Sequence, residues 1–384
     1  MAWDYALKAF AKSETSLQKD VLLTSLRIFL VRVSQSTLQT SKRLPATQGF
    51  QLALGLLGDQ WLSSNYQTLR RMLFMGRSWL LIALLVVSGS DFAVGDKSLN
   101  AADDAAAKPT TPLVLHTRSR GSNSTAEEAQ IKEQTVEWDP NRTALIICDM
   151  WDNHWCHGAA KRVEELAEPM NKLVKEARRR GVFVIHAPST TVDFYEGTPQ
   201  RKLAQSATFA KTAFPLSTVE RWGTAWCYPD PKREAELPID DTDMGCDCAT
   251  KCEIVPPWTR QIKTIDIEDQ DAITDNGQET FNLLSQRKIE NVIIMGVHLN
   301  MCVLGRPFAI RQLVTQGKNV LLVRDMTDTM YNSKMKPYVN HFAGTDLVIG
   351  HVEQNWCPTI LSTDLVGGVP FRFQEDTRGP KKPN

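Results

Sequence analysis

The stretch NVIIMGVHLNMCVLGRPFAI, residues 291–310, decides how this chain is read. Val292 to Val297 form an apolar run without alternation, the pattern of a strand buried on both faces of a parallel sheet. Cys302 then opens CVLGRPFAIRQLVTQG (302–317), in which Val303, Pro307, Ile310 and Val314 make one apolar stripe. The stripe predicts a helix beginning near Cys302, kinked at Pro307. A thiol at a strand-to-helix turn is either a small buried hydrophobe or a nucleophile. Unpaired N–H groups and the helix dipole favour an anion at such a place, so a nucleophile there is expected below the free thiol pKa of ~8.5.

The same alternation extends in both directions. NVLLVRDM (319–326) is a second apolar strand, preceded by DAIT (271–274) and the helical NGQETFNLLSQRKIE (276–290). Towards the N-terminus, TALIICDM (143–150) reads as a buried strand and VFVIHAP (182–188) as another. Between them Val163, Leu166, Met170, Leu173, Val174 and Ala177 lie at helical spacing, with Gly181 as the stop. Strands alternating with helices of this length specify α/β, a three-layer sandwich with a mainly parallel sheet flanked by helices.

Ligands of such sheets bind beyond the carboxyl ends of the strands. Asp149, His186, Asp275, Asp325 and the turn HLNMC (298–302) stand there. Asp149, ending the run LIICD, is the candidate general base for Cys302. Partial desolvation of a carboxylate beside apolar residues raises its pKa towards useful base chemistry.

Lys+Arg 44 against Asp+Glu 44 gives a net charge of zero over 384 residues, which leaves no electrostatic footprint for nucleic acid. With 42% hydrophobic residues the chain can bury a sizeable core. No fixed-period repeat is visible. Arginines flank Met72, the short apolar run Trp79 to Val87 follows, and small residues come next. This is the pattern of a secretory signal. The expected organisation is an unstructured extension or misassigned start at 1–71, a signal and small-residue segment at 72–107 and a flexible linker at 108–134. A single domain at 135–372 follows, with an inserted loop at 189–265, then a flexible tail at 373–384. The mature protein is expected to be secreted or periplasmic without a stable membrane span, the alternative being an uncleaved anchor.

TALIICDMWD followed by NVIIMGVHLNMCVLGRPFAIRQLVTQGKNVLLVRDM resembles the isochorismatase-like cysteine hydrolases, the family of nicotinamidases and carbamoyl-sarcosine amidase relatives. The likeness spans roughly 135–368 and is weakest over the insertion. It implies Cys302 as nucleophile, Asp149 as general base, and a cis peptide at Val297–His298. Backbone N–H groups near His298 and Cys302 would then hold an oxyanion. The implied reaction is hydrolysis of a small amide through a thioester, with no cofactor required, and homo-oligomers are common in the family. Trp151, His186 and Asn300 are expected beside the substrate. Two departures stand out. The place of the family's lysine falls on Thr274 or Asp275, where a carboxylate would raise the thiol's pKa, leaving Lys251 or Lys263 to reach in. Leu299 replaces a common threonine. These departures admit a catalytically inactive binding protein on the same scaffold.

His154, His157 and His186 offer a third reading, a divalent metal and metal-dependent hydrolysis. The aromatic residues Phe194, Tyr195, Trp222, Trp226, Tyr228 and Trp258 of the insertion are candidates for walling a substrate pocket, and Arg201, Arg221 and Arg260 for binding a carboxylate. GCDCATKC (245–252), with Cys227 upstream, admits a four-thiolate zinc knot but lacks paired C-x-x-C spacing. A secreted context favours disulfides instead. Cys156, Cys227, Cys246, Cys248, Cys252 and Cys357 would make three.

Overall fold

A computed structural model describes residues 111–121 and 130–379. The expected extension (1–71) and the signal segment (72–107) lie outside the described residues. Among the described residues no helix is long and apolar enough to cross a membrane.

The buried-strand sequences form the middle of one eight-stranded mixed sheet. β3 (Thr143–Cys148) pairs in parallel with both β4 (Phe183–Ala187) and β8 (Asn291–Val297), and β8 in turn with β9 (Asn319–Asp328). The short β7 (Ala272–Ile273) closes one side and β10 (Thr359–Ile360) extends the other, both parallel to their neighbours. Every residue of β3 and β8 is buried. Their odd and even positions feed two separate cores: Ile146 and Ile294 pack on one face, Leu145, Ile147, Ile293 and Met295 on the other. That two-sided burial is why these strands read as continuous apolar runs.

α1 (His157–Arg179) covers the second face with Val163, Leu166, Met170, Leu173 and Val174. α3 (Gly277–Gln286) and α6 (His341–Asn355) contribute Leu283, Leu284, Val348 and Val352 to the first. Gly296 in β8 has φ +116°, and a Cβ there would lie 2.0 Å from the Cys148 carbonyl oxygen. Only glycine lets β3 and β8 approach this closely.

Three expectations are corrected. The segment 108–134, expected as a linker, contains β1 (Leu113–Arg120) and the start of β2 (Ile131–Trp138). The two strands form an antiparallel hairpin on the edge of the sheet beside β10, giving the order β2-β1-β10-β9-β8-β3-β4-β7. β2 is almost wholly exposed, so no apolar pattern marks it. The expected tail is packed through residue 379, with Phe373 stacked on Phe342 at 5.4 Å. Finally, 302–317 is two short helices, α4 (Cys302–Gly305) and α5 (Ile310–Thr315), rather than one kinked helix. Pro307 is the cause. A residue before proline is driven out of the helical region, and Arg306 accordingly has φ −64° and ψ 154°.

The insertion 189–265 carries α2 (Pro199–Gln205) and a small hairpin of β5 (Glu220–Arg221) and β6 (Thr224–Ala225). One of its anchors is ionic. Glu234 accepts from Arg311 of α5 at 2.7 and 2.9 Å, from His351 of α6 at 3.1 Å and from Trp356 at 2.9 Å. Burial raises the Glu234 pKa, but these donors outweigh it and hold the carboxyl at about 2.

Candidate active site

β3 delivers Asp149 and β8, through the turn 298–301, delivers Cys302 to the same crevice at the carboxyl edge of the sheet. Asp149 has φ 49°, a left-handed conformation rare outside glycine, and such outliers concentrate where a side chain must be aimed. Its Oδ1 accepts the Ser189 N–H at 2.7 Å and its Oδ2 accepts Arg306 Nε at 3.2 Å. Cys302, Asp149 and Arg306 are 4, 0 and 2% exposed. The Cys302 thiol lies within electrostatic reach of both Asp149 and Arg306.

Arg306 is the charged residue of this crevice that sequence reasoning missed. It stands one helical turn beyond the nucleophile, where an arginine reads as a solvated helix position. Pro307 ends α4 and leaves the Arg306 backbone extended, and the guanidinium bonds Asp149. Its Nη1 donates to the Trp222 carbonyl at 3.2 Å and to Thr224 Oγ1 at 2.5 Å, and the guanidinium carbon lies 5.5 Å from the Trp226 ring centre. The insertion therefore builds the seat of this cation. Lys251 and Lys263, the expected substitutes for the family lysine, are both exposed.

Burial pushes the Cys302 thiol up to about 12; Arg306 lowers it and Asp149 raises it. The expected lowering is thus overturned. α4 has only four residues, so its dipole is weak, and desolvation dominates. The thiol stands protonated with a carboxylate acceptor and a cation beside it. This is an arrangement for moving a proton on attack rather than for storing a thiolate.

The Val297–His298 peptide is cis, as the resemblance implies, and the His298 carbonyl accepts N–H groups of Met301 and Val303 at 3.0 and 3.2 Å. The His298 ring faces His154 at 5.0 Å and is held neutral by burial. Asp275 lies within electrostatic reach of Asp149 and Arg306 and accepts the Thr190 N–H at 2.8 Å. Burial raises its pKa, which lessens the repulsion a carboxylate there would exert. Trp151 packs in the same core as Cys302 and stacks on Trp258 at 4.4 Å.

Other expected site residues are engaged by protein partners. His186 is bound by Gln261 and Asp271 at 2.9 and 3.1 Å, and His157 is exposed at the start of α1, so the three histidines do not gather around a metal. Asn300 ties Met330 to Asp241. Asp325 binds Ser362 and Phe371, and Asp328 holds the end of β9 instead. Arg201 pairs with Glu279 and Arg260 with Asp152, while Arg221 covers the Trp222 ring at 3.9 Å. The three expected disulfides are absent among the described residues, where all eight cysteines are free thiols. A cleft of about 380 Å³ lined by Arg118, Arg324, Asp325, Phe342 and Arg372 does not include Cys302.

No family model matches the sequence, and no curated protein matches it. Among solved structures, the fold is similar to a cysteine hydrolase from Pseudomonas syringae at 17% identity and TM-score 0.38, covering 60% of this chain and 94% of the other. An isochorismatase from Pseudomonas putida matches at 12% identity and TM-score 0.35, covering 59 and 91%. A ribonuclease from Caenorhabditis elegans matches at 16% identity and TM-score 0.34, covering 60 and 84%. Isochorismatase-family proteins and an N-carbamoylsarcosine amidase are among the structural neighbours of this chain.

Proposed function

We propose that this chain is an isochorismatase-like cysteine hydrolase that cleaves the C–N bond of a small amide. The observation that carries the reading is the burial of Cys302 together with the Asp149–Arg306 ion pair at the carboxyl edge of the sheet. Asp149 takes the thiol proton as sulfur attacks the carbonyl carbon. Backbone N–H groups of the turn 298–302 receive the oxyanion. Protonated Asp149 returns its proton to the leaving nitrogen, which departs as the amine and leaves a thioester. Asp149 then activates water, which displaces Cys302 as the thiol and releases the acid. Arg306 supplies positive charge beside the sulfur as the proton leaves it, the task the resemblance gives to a lysine. Substrates are small, because the nucleophile is nearly closed to solvent.

A panel of small amides and carbamoyl compounds tests this, with trapping of the acyl-enzyme by mass spectrometry. An acyl adduct on Cys302 in the wild type, absent from Cys302→Ala, is expected. Turnover that survives Cys302→Ala would sink the reading, and binding without turnover by the folded wild type would favour the binding-protein alternative. We further propose export, on the signal-like segment at Met72, to be checked by N-terminal sequencing of protein from its native source.

A further inference from the structure

A second thiol cluster lies outside the catalytic pair. Cys156, the N-cap of α1, meets Cys246 and Cys248 from the insertion, about ninety positions away in sequence. The three Sγ atoms lie within 4.8 Å of one another, and Cys156 Sγ is 3.8 Å from Cys248 Sγ. Cys252 stands four positions beyond Cys248 on the same loop, its Sγ 4.0 Å from the Thr250 carbonyl oxygen and outside this group of three.

The 3.8 Å spacing is that of two thiols in contact and also that of two ligands of one metal. A disulfide requires about 2.05 Å between sulfurs. A tetrahedron with metal–sulfur bonds of about 2.3 Å has sulfur–sulfur edges of about 3.8 Å. A backbone N–H group also meets the sulfurs. Gly158 N–H donates to Cys248 Sγ at 3.3 Å. Such a donor stabilises a thiolate ligand. The backbone is shaped to bring the loop here. Gly245 has φ +68°, and a Cβ on it would lie 2.2 Å from the Met330 backbone, so glycine alone fits immediately before Cys246.

We propose that Cys156, Cys246 and Cys248 bind one zinc ion, with Cys252 of the same loop turning in as the fourth thiolate, in a tetrahedral site that fastens the insertion to the start of α1. Four thiolates without an open position make a closed, structural site. The pairing is Cys156 with a loop triad rather than with Cys227, whose Sγ lies 3.4 Å from Gln312 Oε1. Because the same insertion seats Arg306 through Trp222 and Thr224, the metal acts on the active site only by holding the loop. The proposal does not depend on the hydrolase reading.

Elemental analysis of the full-length protein purified without chelator tests it. About one zinc per chain is expected, falling at least tenfold in Cys248→Ser and unchanged in Cys227→Ser. Should Cys248→Ser fail to fold, Co²⁺ added to chelator-treated wild type provides the second measurement: tetrahedral thiolate–cobalt bands should appear and saturate at about one equivalent. Two results overturn the proposal: metal-free protein that gives no cobalt–thiolate bands, or a disulfide-linked peptide joining Cys156 to Cys248 in the native protein.

Discussion

Two thiols of this protein begin helices at the same edge of the sheet, yet their neighbours give them different chemistry. Cys302 opens α4 beside one carboxylate and one guanidinium. Cys156 precedes α1 beside other thiols. A carboxylate can receive the proton of a lone thiol and release its electron pair to carbon. Cys156 also has a carboxylate oxygen, Asp247 Oδ1, at 3.9 Å, but Arg162 holds that carboxylate, and the three sulfurs lie close enough together for their electron pairs to converge on one point. What surrounds the sulfur, more than its place on a helix, decides its use.

The largest break in this comparison is an exchange of roles. Cys302→Ala is expected to lower amide hydrolysis by at least about 10⁴-fold while leaving the zinc content intact. If activity and metal fall together, the two clusters are not separate. Next in size, Arg306→Met should lower kcat/KM by roughly 10²–10³-fold and destabilise the fold, because it leaves Asp149 buried without its ion-pair partner. Arg306→Lys should recover part of the activity, since it keeps the charge but loses the bond geometry. Equal rates for Arg306→Met and wild type would show that the cation has no part in the reaction.

Glu234→Gln examines the insertion by ionic rather than thiol anchoring. The depressed pKa of Glu234 contributes stability above the unfolded value of ~4.3, lost as pH falls towards about 2. The variant should therefore lose on the order of 3 kcal/mol in denaturant unfolding at pH 7, and the gap to wild type should close as pH falls from 4 to 2. A gap that persists at pH 2 contradicts the ionic account. The smallest effect is kinetic. With a pKa pushed up to about 12, alkylation of Cys302 should quicken by about tenfold per pH unit from 7 to 10. A plateau near pH 8 would mean that Arg306 outweighs burial.

The fold was legible where burial is two-sided. β3, β8 and β9 announce themselves because both faces are covered, and Asp149 and Cys302 follow from their places at the ends of those runs. Arg306 was hidden because its position follows from an interrupted helix, and helical spacing alone gives no reason to aim it at Asp149. Pro307 was the signal, read as a kink where it is a stop. The Cys156 partnership was hidden by distance along the chain. β2 left no trace because an edge strand facing water carries IKEQTVEW rather than an apolar alternation.

The β1–β2 hairpin sets an order of assembly. β1 is the first strand of the described domain, yet it docks beside β10, with Arg118 paired to Thr359, and its Arg118 and Arg120 bind Glu353. A ribosome makes these residues more than two hundred positions before their partners, so the hairpin waits, unsupported, while the remaining sheet is synthesised. Docking is then among the last events of folding. Until β10 emerges, the growing sheet presents an uncovered strand at its β9 edge, and shielding that edge falls to whatever meets the nascent chain.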